Sequence, residues 1–174
     1  MADDLPLQER LQPALLDRLT DYEPDKKQEP RERRVLSKRQ LRESVLRDLG
    51  WLFNSTQLNE AASFARAPLV RQSVVNFGLP PMSGKVASSL DITDLTRALR
   101  EAILVFEPRI LPQTLEIRTL LEAGDLDHHN VIGVEIHGEL WAQPVPLEFL
   151  VRTDFDLETG NVRITDLISP PRVA

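Results

Sequence analysis

The sequence predicts an α+β protein in which N-terminal helices pack on a small, mainly antiparallel sheet of three or four C-terminal strands. Apolar residues recur with helical spacing in the first part of the chain and alternate with polar residues, as in strands, beyond Pro112. The links between the strand patterns are too short for crossover helices. The strands should therefore pair antiparallel, with the helices covering one apolar face.

Composition is that of an ordinary globular protein. Of the 174 residues, 41% are apolar and 28% are charged, which suits one domain with a core. The absence of cysteine excludes disulfides, thiolate metal sites and thiol nucleophiles. No apolar run reaches the roughly 18 residues of a membrane span, and the acidic N-terminus is unlike a signal peptide. We expect a cytoplasmic protein with no membrane insertion and no cofactor.

Charge and proline content divide the chain into three parts. We predict a flexible, basic N-terminal arm over residues 1–36 with a short anchor helix broken by Pro13, a single domain over 37–168, and a tail over 169–174. Residues 26–47 contain nine basic and three acidic side chains, a local charge of +6 in a chain of net charge −6.

The first regular helix should begin at a capping box formed by Ser37 and Gln40 and end near residue 53. A short second helix is expected over residues 60–67. The apolar stripe of the first helix consists of Leu41, Val45, Leu49 and Leu52, joined by Leu46 and Phe53.

A second long helix is predicted from an N-cap at Asp91 to Phe106, because Pro108 disfavours helical geometry at Glu107. The loop before it, over residues 73–84, should be held down by Val75 and Phe77. The helix should bury Ile92, Leu95, Leu99, Ala102, Ile103 and Phe106, and expose Asp94, Arg97, Arg100 and Glu101.

Four strand patterns follow, over residues 115–121, 132–140, 145–151 and 161–167. The last two are joined by Glu158-Thr159-Gly160-Asn161, a sequence typical of a hairpin connection. A small sheet leaves two edges, and the fourth strand, with Val162 and Ile164, is a candidate edge for strand addition by a partner. Charged side chains in these strands could equally keep the edges apart; they are Glu148, Arg152 and Arg163.

Glu107 occupies an unfavourable position, because an acid at a helix C-terminus faces carbonyls and costs about 0.3 to 1 kcal/mol when uncompensated. Arg109 is the expected counter-charge, held two residues away by the rigid Pro108. Two interpretations stay open. Either Arg109 binds the last carbonyls and Glu107 merely pairs with it, or both side chains are displayed to a partner.

Other functions need residues that the sequence supplies only in part. A hydrolase would need a second carboxylate at a fixed distance from Glu107. Only 5% of the residues are aromatic, which is few for a sugar-binding cleft. We therefore expect no enzyme. The candidates for that carboxylate are Asp125, Asp127, Glu135 and Glu139.

Two further segments contain residue types found in metal sites and in nucleic-acid sites. The stretch DLDHHN, which contains His128 and His129, offers metal ligands, but a solvated hairpin loop explains it better. His137 alternates within a strand, as expected for a surface or partly buried imidazole and not for a metal ligand. The basic segment over residues 26–47 lacks interleaved aromatics, so we favour a solvated arm and expect no nucleic-acid partner.

Five features occur in a distinctive order: a leucine-rich segment with Asp17-Arg18-Leu19, the capped helix from Ser37, the loop Ser73-Val74-Val75-Asn76-Phe77-Gly78-Leu79-Pro80 with Ser83-Gly84, the helix end Phe106-Glu107-Pro108-Arg109-Ile110, and the strand over 115–122. In this order the chain resembles the TssE family of type VI secretion baseplate subunits, from about residue 5 to 168. That family is similar to the wedge protein that starts the sheath in contractile phage baseplates. The most specific element is Glu-Pro-Arg at this separation from Asn-Phe-Gly-Leu-Pro.

The resemblance implies a structural protein, one copy in each of six baseplate wedges, at the inner face of the inner membrane. Its implied partners are TssF and TssG in the wedge and the TssB and TssC sheath that it nucleates, with TssK as a further candidate. The implied partner-binding residues are Glu107, Pro108, Arg109, Asn76, Phe77 and Gly78. If the motif serves only partners, Ala at position 107 or 109 should change stability by no more than about 1 kcal/mol. Because members have been labelled lysozyme-like, a peptidoglycan hydrolase is the alternative function.

Overall fold

The structure is a computed structural model that describes residues 14–20, 24–25, 36–58, 64, 67–81, 92–120, 131–142 and 144–168. It confirms the predicted α+β class, with helices first and a four-stranded antiparallel sheet after them. The helices are α1 (Leu15–Leu19), α2 (Lys38–Phe53) and α3 (Ile92–Phe106). The strands are β1 (Glu116–Leu120), β2 (Val131–Leu140), β3 (Leu147–Asp156) and β4 (Val162–Asp166).

Helix α2 begins at the predicted capping box. The amide of Gln40 donates to the Ser37 hydroxyl at 3.2 Å, and the amide of Ser37 donates to the Gln40 side chain at 2.9 Å. These bonds satisfy amides that the first turn of a helix leaves free. The predicted apolar stripe is the buried face of the helix: Leu41, Val45, Leu49, Leu52 and Phe53 are all buried, together with Ser44.

Helix α3 ends at Phe106, as the proline two residues later predicts. Its buried face is Leu95, Leu99, Ala102 and Ile103. The assignment of Arg100 to the solvent face is wrong: this side chain is half-buried, and its Nη2 donates to the carbonyl of Leu115 at 2.7 Å. A long arginine can reach beyond its own helix, which periodicity alone does not reveal. The predicted N-cap Asp91 lies outside the described residues.

The sheet has the order β1-β2-β3-β4, so β1 and β4 are its edges. Each strand pairs antiparallel with the next, and the predicted meander is confirmed. The connection to β4 turns at Gly160, with φ of 75°. Val145 does not belong to β3; it precedes the strand and is 55% exposed.

One face of the sheet forms the core with α2 and α3. Ile132 pairs with Phe155, Ile136 with Val151, and Leu140 with Leu147, and all six are buried. The opposite face carries the charged side chains, including Glu116, Arg118, Glu148 and Arg152. This alternation is what an antiparallel sheet with one covered face requires.

The segment between α2 and α3 forms two 3-10 turns, Pro68–Gln72 and Val74–Asn76. The expectation that Val75 anchors it is wrong, since this side chain is 64% exposed. The buried anchor is Leu79, whose amide donates to the carbonyl of Ser55 at 2.9 Å and whose carbonyl accepts from the amide of Gln57 at 2.9 Å. Most of the helix expected over 60–67 lies outside the described residues, as do Ser83 and Gly84.

Candidate functional site

Glu107 lies just beyond α3, and its side chain is only 3% exposed. Its amide donates to the carbonyl of Ile103 at 2.8 Å, so the backbone still closes the last helical turn. Its carbonyl accepts from the amide of Ile110 at 3.2 Å, across the tight turn at Pro108. The turn folds the carboxylate inwards, and a buried carboxylate requires hydrogen-bond donors.

Arg109 supplies those donors. Its Nε lies 2.6 Å and its Nη2 2.5 Å from the two carboxylate oxygens of Glu107, a bidentate arrangement. Nη1 donates to the Ser44 hydroxyl at 3.0 Å, and Nη2 also lies 2.5 Å from Asp48. The Glu-Pro-Arg turn is thereby attached to α2 through two side chains of that helix.

The charge of Arg109 is stabilised by this arrangement. Burial lowers the pKa of its guanidinium, but hydrogen bonds and charge attraction from Glu107, and then from Asp48, outweigh burial and raise the pKa above its ordinary value. Glu107 therefore contacts a permanent cation. The unfavourable helix end is compensated inside the molecule. Glu107 pairs with Arg109 as the first interpretation expects, but the other side-chain bonds of Arg109 go to Ser44 and Asp48 and not to the last carbonyls of α3.

The charge network continues beyond Asp48. Arg47 also contacts Asp48, at 2.8 Å, and pairs with Asp17 of α1. Arg47 lies over the ring of Trp51 at 5.1 Å from its centroid, within cation–π range. A continuous series of ion pairs thus connects the leading helix with the Glu-Pro-Arg turn.

The loop that precedes α3 meets this turn through an aromatic contact. Phe77 and Phe106 pack edge to face, with ring centroids 5.3 Å apart. Asn76 is buried, and its side-chain amide donates to the carbonyl of Arg71 at 3.0 Å. The two most specific sequence motifs are therefore neighbours in space.

Gly78 has a conformational reason to be glycine. Its φ is 131°, and a Cβ atom at this position would overlap the backbone carbonyl of Ser55. The close approach allows residues 55–57 and Leu79 to pair as a short parallel bridge. The motif residues thus build the loop; a role in binding a partner stays a prediction for Gly78 and for the other five residues.

A surface pocket of about 210 Å³ lies where the two motifs meet. Its walls are mainly apolar, and they also include the charged side chains of Asp48, Glu107 and Arg109. Trp51 contributes the most exposed large apolar side chain, at 51%. The lining residues are Asp48, Leu49, Trp51, Leu52, Phe77, Phe106, Glu107 and Arg109.

Sequence reasoning missed the part of this site that α2 provides. Ser44 and Asp48 are one helical turn apart, beside the apolar stripe, and so face Arg109 together. The sequence did show that Ser44 and Asp48, and likewise Arg47 and Trp51, are four residues apart and so share a face of the helix. Nothing in the sequence connects that face to Arg109, which lies 61 positions after Asp48.

The proposed edge strand is β4, but part of that edge is already occupied. The side-chain oxygen of Asn54 accepts from the amide of Val162 at 2.9 Å, and its nitrogen donates to the carbonyl of Val162 at 3.0 Å. Asn54 makes the pair of bonds that a residue of an added strand would make. Ile164 is half-buried against the core.

The metal and nucleic-acid sites receive no support from the described residues. Asp125, Asp127, His128 and His129 lie outside them, and the described part of the chain contains no cluster of three or more potential metal ligands. The basic residues of α2 make internal contacts: Arg39 pairs with Glu43 at 2.7 Å, and Arg42 donates to the carbonyl of Glu148 at 2.7 Å.

The remaining hydrolase candidates, Glu135 and Glu139, are half-buried residues of β2 whose side chains lie on the face of the sheet opposite the core. The carboxylate of Glu107 is bound by Arg109 on the helix side. No helix among the described residues has the length and apolarity of a membrane span.

Comparison with known proteins agrees with the geometry. Residues 39–145 match the family described as baseplate wedge protein gp25, a range that includes all but the first residue of α2, the loop at Phe77, the Glu-Pro-Arg turn and β2. No curated protein and no solved structure matches the chain significantly. The match confirms the resemblance to the wedge protein of contractile phage baseplates. The chain belongs to the family of the baseplate wedge protein gp25 and has the structural role of a phage-tail-like baseplate component.

Proposed function

We propose that this protein is a wedge subunit of a type VI secretion baseplate, assembled at the cytoplasmic face of the inner membrane. In this role it binds TssF and TssG and nucleates the sheath of TssB and TssC, with TssK as a further candidate partner. The proposal rests on the family match and on the order of motifs that resembles the TssE family. It assigns no catalytic step to any residue.

The observation that carries the proposal is the pocket shared by the two motifs. Phe77, Phe106 and the Glu107–Arg109 pair surround a cavity of about 210 Å³, beside a tryptophan that is half exposed. A partially exposed tryptophan next to an apolar pocket is typical of an interaction surface. The internal ion pairs hold its wall rigid, which lowers the entropy lost when a partner binds.

Within this proposal the motif residues have two kinds of role. Glu107 and Arg109 maintain the shape of the pocket through their contacts with α2. Trp51 and the exposed part of Phe77 provide contact area to TssF or TssG. Pro108 is exposed and sets the turn that directs the carboxylate inwards.

The test is co-purification of TssF and TssG with the wild-type protein and with the Trp51→Ala variant. Trp141→Ala is the matched control, because Trp141 has the same 51% exposure but does not line the pocket. We expect at least a tenfold loss of affinity for Trp51→Ala, about 1.4 kcal/mol, and little change for the control. Thermal melts of both variants should match the wild type.

Two results would contradict the assignment. If both tryptophan variants retain the partners, the pocket is not the binding surface. If the wild-type protein does not associate with TssF and TssG at all, the wedge role itself is wrong. Glu107→Ala is a poorer probe, because its buried contacts make loss of binding hard to separate from loss of fold.

A further inference from the structure

The connection between β2 and β3 presents apolar side chains to solvent. It covers residues 141–146, because Leu140 pairs with Leu147 at the ends of the two strands. Its exposed apolar residues are Trp141, Pro144, Val145 and Pro146. The exposed fractions of Trp141 and Val145 are 51% and 55%. A single exposed apolar residue is ordinary, but an exposed tryptophan grouped with other apolar residues is typical of a binding surface.

This connection is held in place at its beginning. The amide of Trp141 donates to the carbonyl of Arg109 at 2.7 Å, and the next residue, Ala142, is buried. Further along, Pro144 and Pro146 have φ angles that their rings fix. The exposed side chains are therefore displayed from a defined backbone, which lowers the entropy lost when a partner binds.

Two glutamates lie beside Trp141 on the same face of the sheet. Glu139 and Trp141 flank Leu140, whose side chain is buried in the core, so both point to the opposite face. Glu148 is the register partner of Glu139, and its side chain is exposed. The two carboxylates thus occupy directly opposite positions on neighbouring strands, where Cβ atoms are about 5 Å apart.

This pair of like charges has no arginine or lysine as an ion-pair partner within the described part of the chain. The Nε2 atom of His137 lies 3.8 Å from the carboxylate of Glu148. Arg42 contacts Glu148 through the backbone carbonyl, at 2.7 Å. Like charges directly opposite each other in a sheet are destabilising, so a cation from another molecule would remove an unfavourable interaction.

Elsewhere on the same face, opposite charges face each other across the strands. Arg118 of β1 is the register partner of Glu135, and Glu135 is in turn the register partner of Arg152. Glu139 and Glu148 depart from this pattern. The end of the sheet next to Trp141 therefore combines an apolar surface with uncompensated negative charge.

We propose that this end of the sheet, formed by Trp141, Val145, Pro146, Glu139 and Glu148, binds a segment of another protein in which an arginine or lysine lies next to an aliphatic residue. The surface is separate from the pocket at Trp51, whose lining includes none of these five residues. The inference therefore goes beyond the proposed function and adds a second binding surface beside the Glu-Pro-Arg turn.

Each part of the surface selects one property of the segment. The two carboxylates can accept from one guanidinium or ammonium group, and such charge-assisted hydrogen bonds are the stronger kind. The cation would lie next to the ring of Trp141, where cation–π attraction adds to the attraction between charges. Val145 and Pro146 offer apolar area to the neighbouring aliphatic side chain. An acidic segment would be repelled by Glu139 and Glu148, which makes the surface selective.

The test measures the binding of two fluorescein-labelled peptides to the full chain by fluorescence anisotropy. One peptide repeats Arg-Leu-Gly-Ser, and the other has glutamate in place of arginine. Binding is compared between the wild type, Trp141→Ala and the double variant Glu139→Gln/Glu148→Gln. The matched control for charge is Glu43→Gln/Glu101→Gln, which changes the net charge equally at helix residues whose side chains are 55% and 58% exposed.

We expect the arginine peptide to bind the wild type, and its affinity to fall by about fivefold or more in Trp141→Ala and in Glu139→Gln/Glu148→Gln. The charge control and Trp51→Ala should stay within about twofold of the wild type, because salt screens charges far from the surface. The glutamate peptide should not bind. Thermal melts of all variants verify the fold, and removal of the like charges should not lower Tm.

Several outcomes would overturn the inference. They are no binding of the arginine peptide, equal binding of the glutamate peptide, equal losses in the two double variants, and retained affinity in Trp141→Ala. Sedimentation of the wild type tests one further occupant. A dimer that Trp141→Ala dissociates would mean that the surface binds a second copy of this chain and not a basic segment.

Discussion

Replacement of Glu107 by alanine tests whether the Glu-Pro-Arg turn supports the fold. The carboxylate is 3% exposed and makes two short contacts with Arg109, at 2.6 and 2.5 Å. Alanine removes both contacts and leaves the guanidinium with Asp48 and Ser44 as its remaining partners. The expectation from the sequence, a change within about 1 kcal/mol, did not include these contacts.

The expected loss can be derived from the burial of the two partners. Breaking a buried ion pair by removing one member costs about 3 to 5 kcal/mol. The side chain of Arg109 remains 22% exposed and keeps a second carboxylate at 2.5 Å, so the lower end applies. We therefore expect Glu107→Ala to lower the free energy of unfolding by about 3 kcal/mol, which corresponds to roughly 6 to 12 °C in Tm for a chain of this size.

The assay is urea unfolding of wild type and variant, with the midpoint and slope compared. Glu101→Ala is the matched control, because Glu101 lies on α3, the helix that Glu107 follows, and pairs with an arginine, but at 3.5 Å with both side chains more than half exposed. It should change stability by less than about 1 kcal/mol. A loss for Glu107→Ala no larger than that of the control would refute the structural role of the turn.

Three further predictions concern other features. Gly78→Ala should destabilise the protein by more than about 1 kcal/mol, because φ is 131° and the added Cβ would overlap the backbone. Gly50→Ala, in α2, should stabilise it by about 0.5 to 1 kcal/mol, because a Cβ there has open space. Similar urea midpoints for the two variants would contradict both expectations. Asn54→Ala should lower the free energy of unfolding, measured in urea, by about 1 to 3 kcal/mol, because it removes three hydrogen bonds, two of them to Val162. An unchanged urea midpoint would show that these bonds do not contribute to stability. Hydrogen bonds from the backbone and side chain of Thr159, and then from the backbone of Glu158, lower the pKa of Asp156. The contribution of this carboxylate to stability should therefore be present above the ordinary aspartate pKa and lost as pH falls through the lowered pKa. A difference in free energy of unfolding between wild type and Asp156→Asn that stays constant from neutral pH to about pH 3 would exclude this.

Local signals predicted most of the fold. The capping box at Ser37 and the end of α3 at Phe106 depend on residues within four positions of one another, and both are confirmed. The antiparallel meander also follows from nearest neighbours, because the connections were too short for any other pairing.

The errors arise where a side chain interacts far along the chain. Arg100 has the sequence position of a solvent-facing residue but reaches the carbonyl of Leu115. Val75 has the apolarity of an anchor, yet Leu79 is buried in its place, because the glycine before it allows close approach to residues 55–57. Periodicity describes one element at a time and carries no information about which neighbour supplies the contact.

The sequence alone singled out Glu107 and Arg109, because Glu107 breaks a local rule of helix electrostatics and an opposite charge follows two residues later. Only the tertiary structure decided where the compensation occurs: Asp48 and Ser44 come from another helix and bind Arg109. The structure likewise decided that Asn54, at the end of α2, binds the backbone of Val162 at the β4 edge of the sheet. Both depend on how helices lie on the sheet, and that arrangement follows from burial of the whole apolar face and not from any single stretch of sequence.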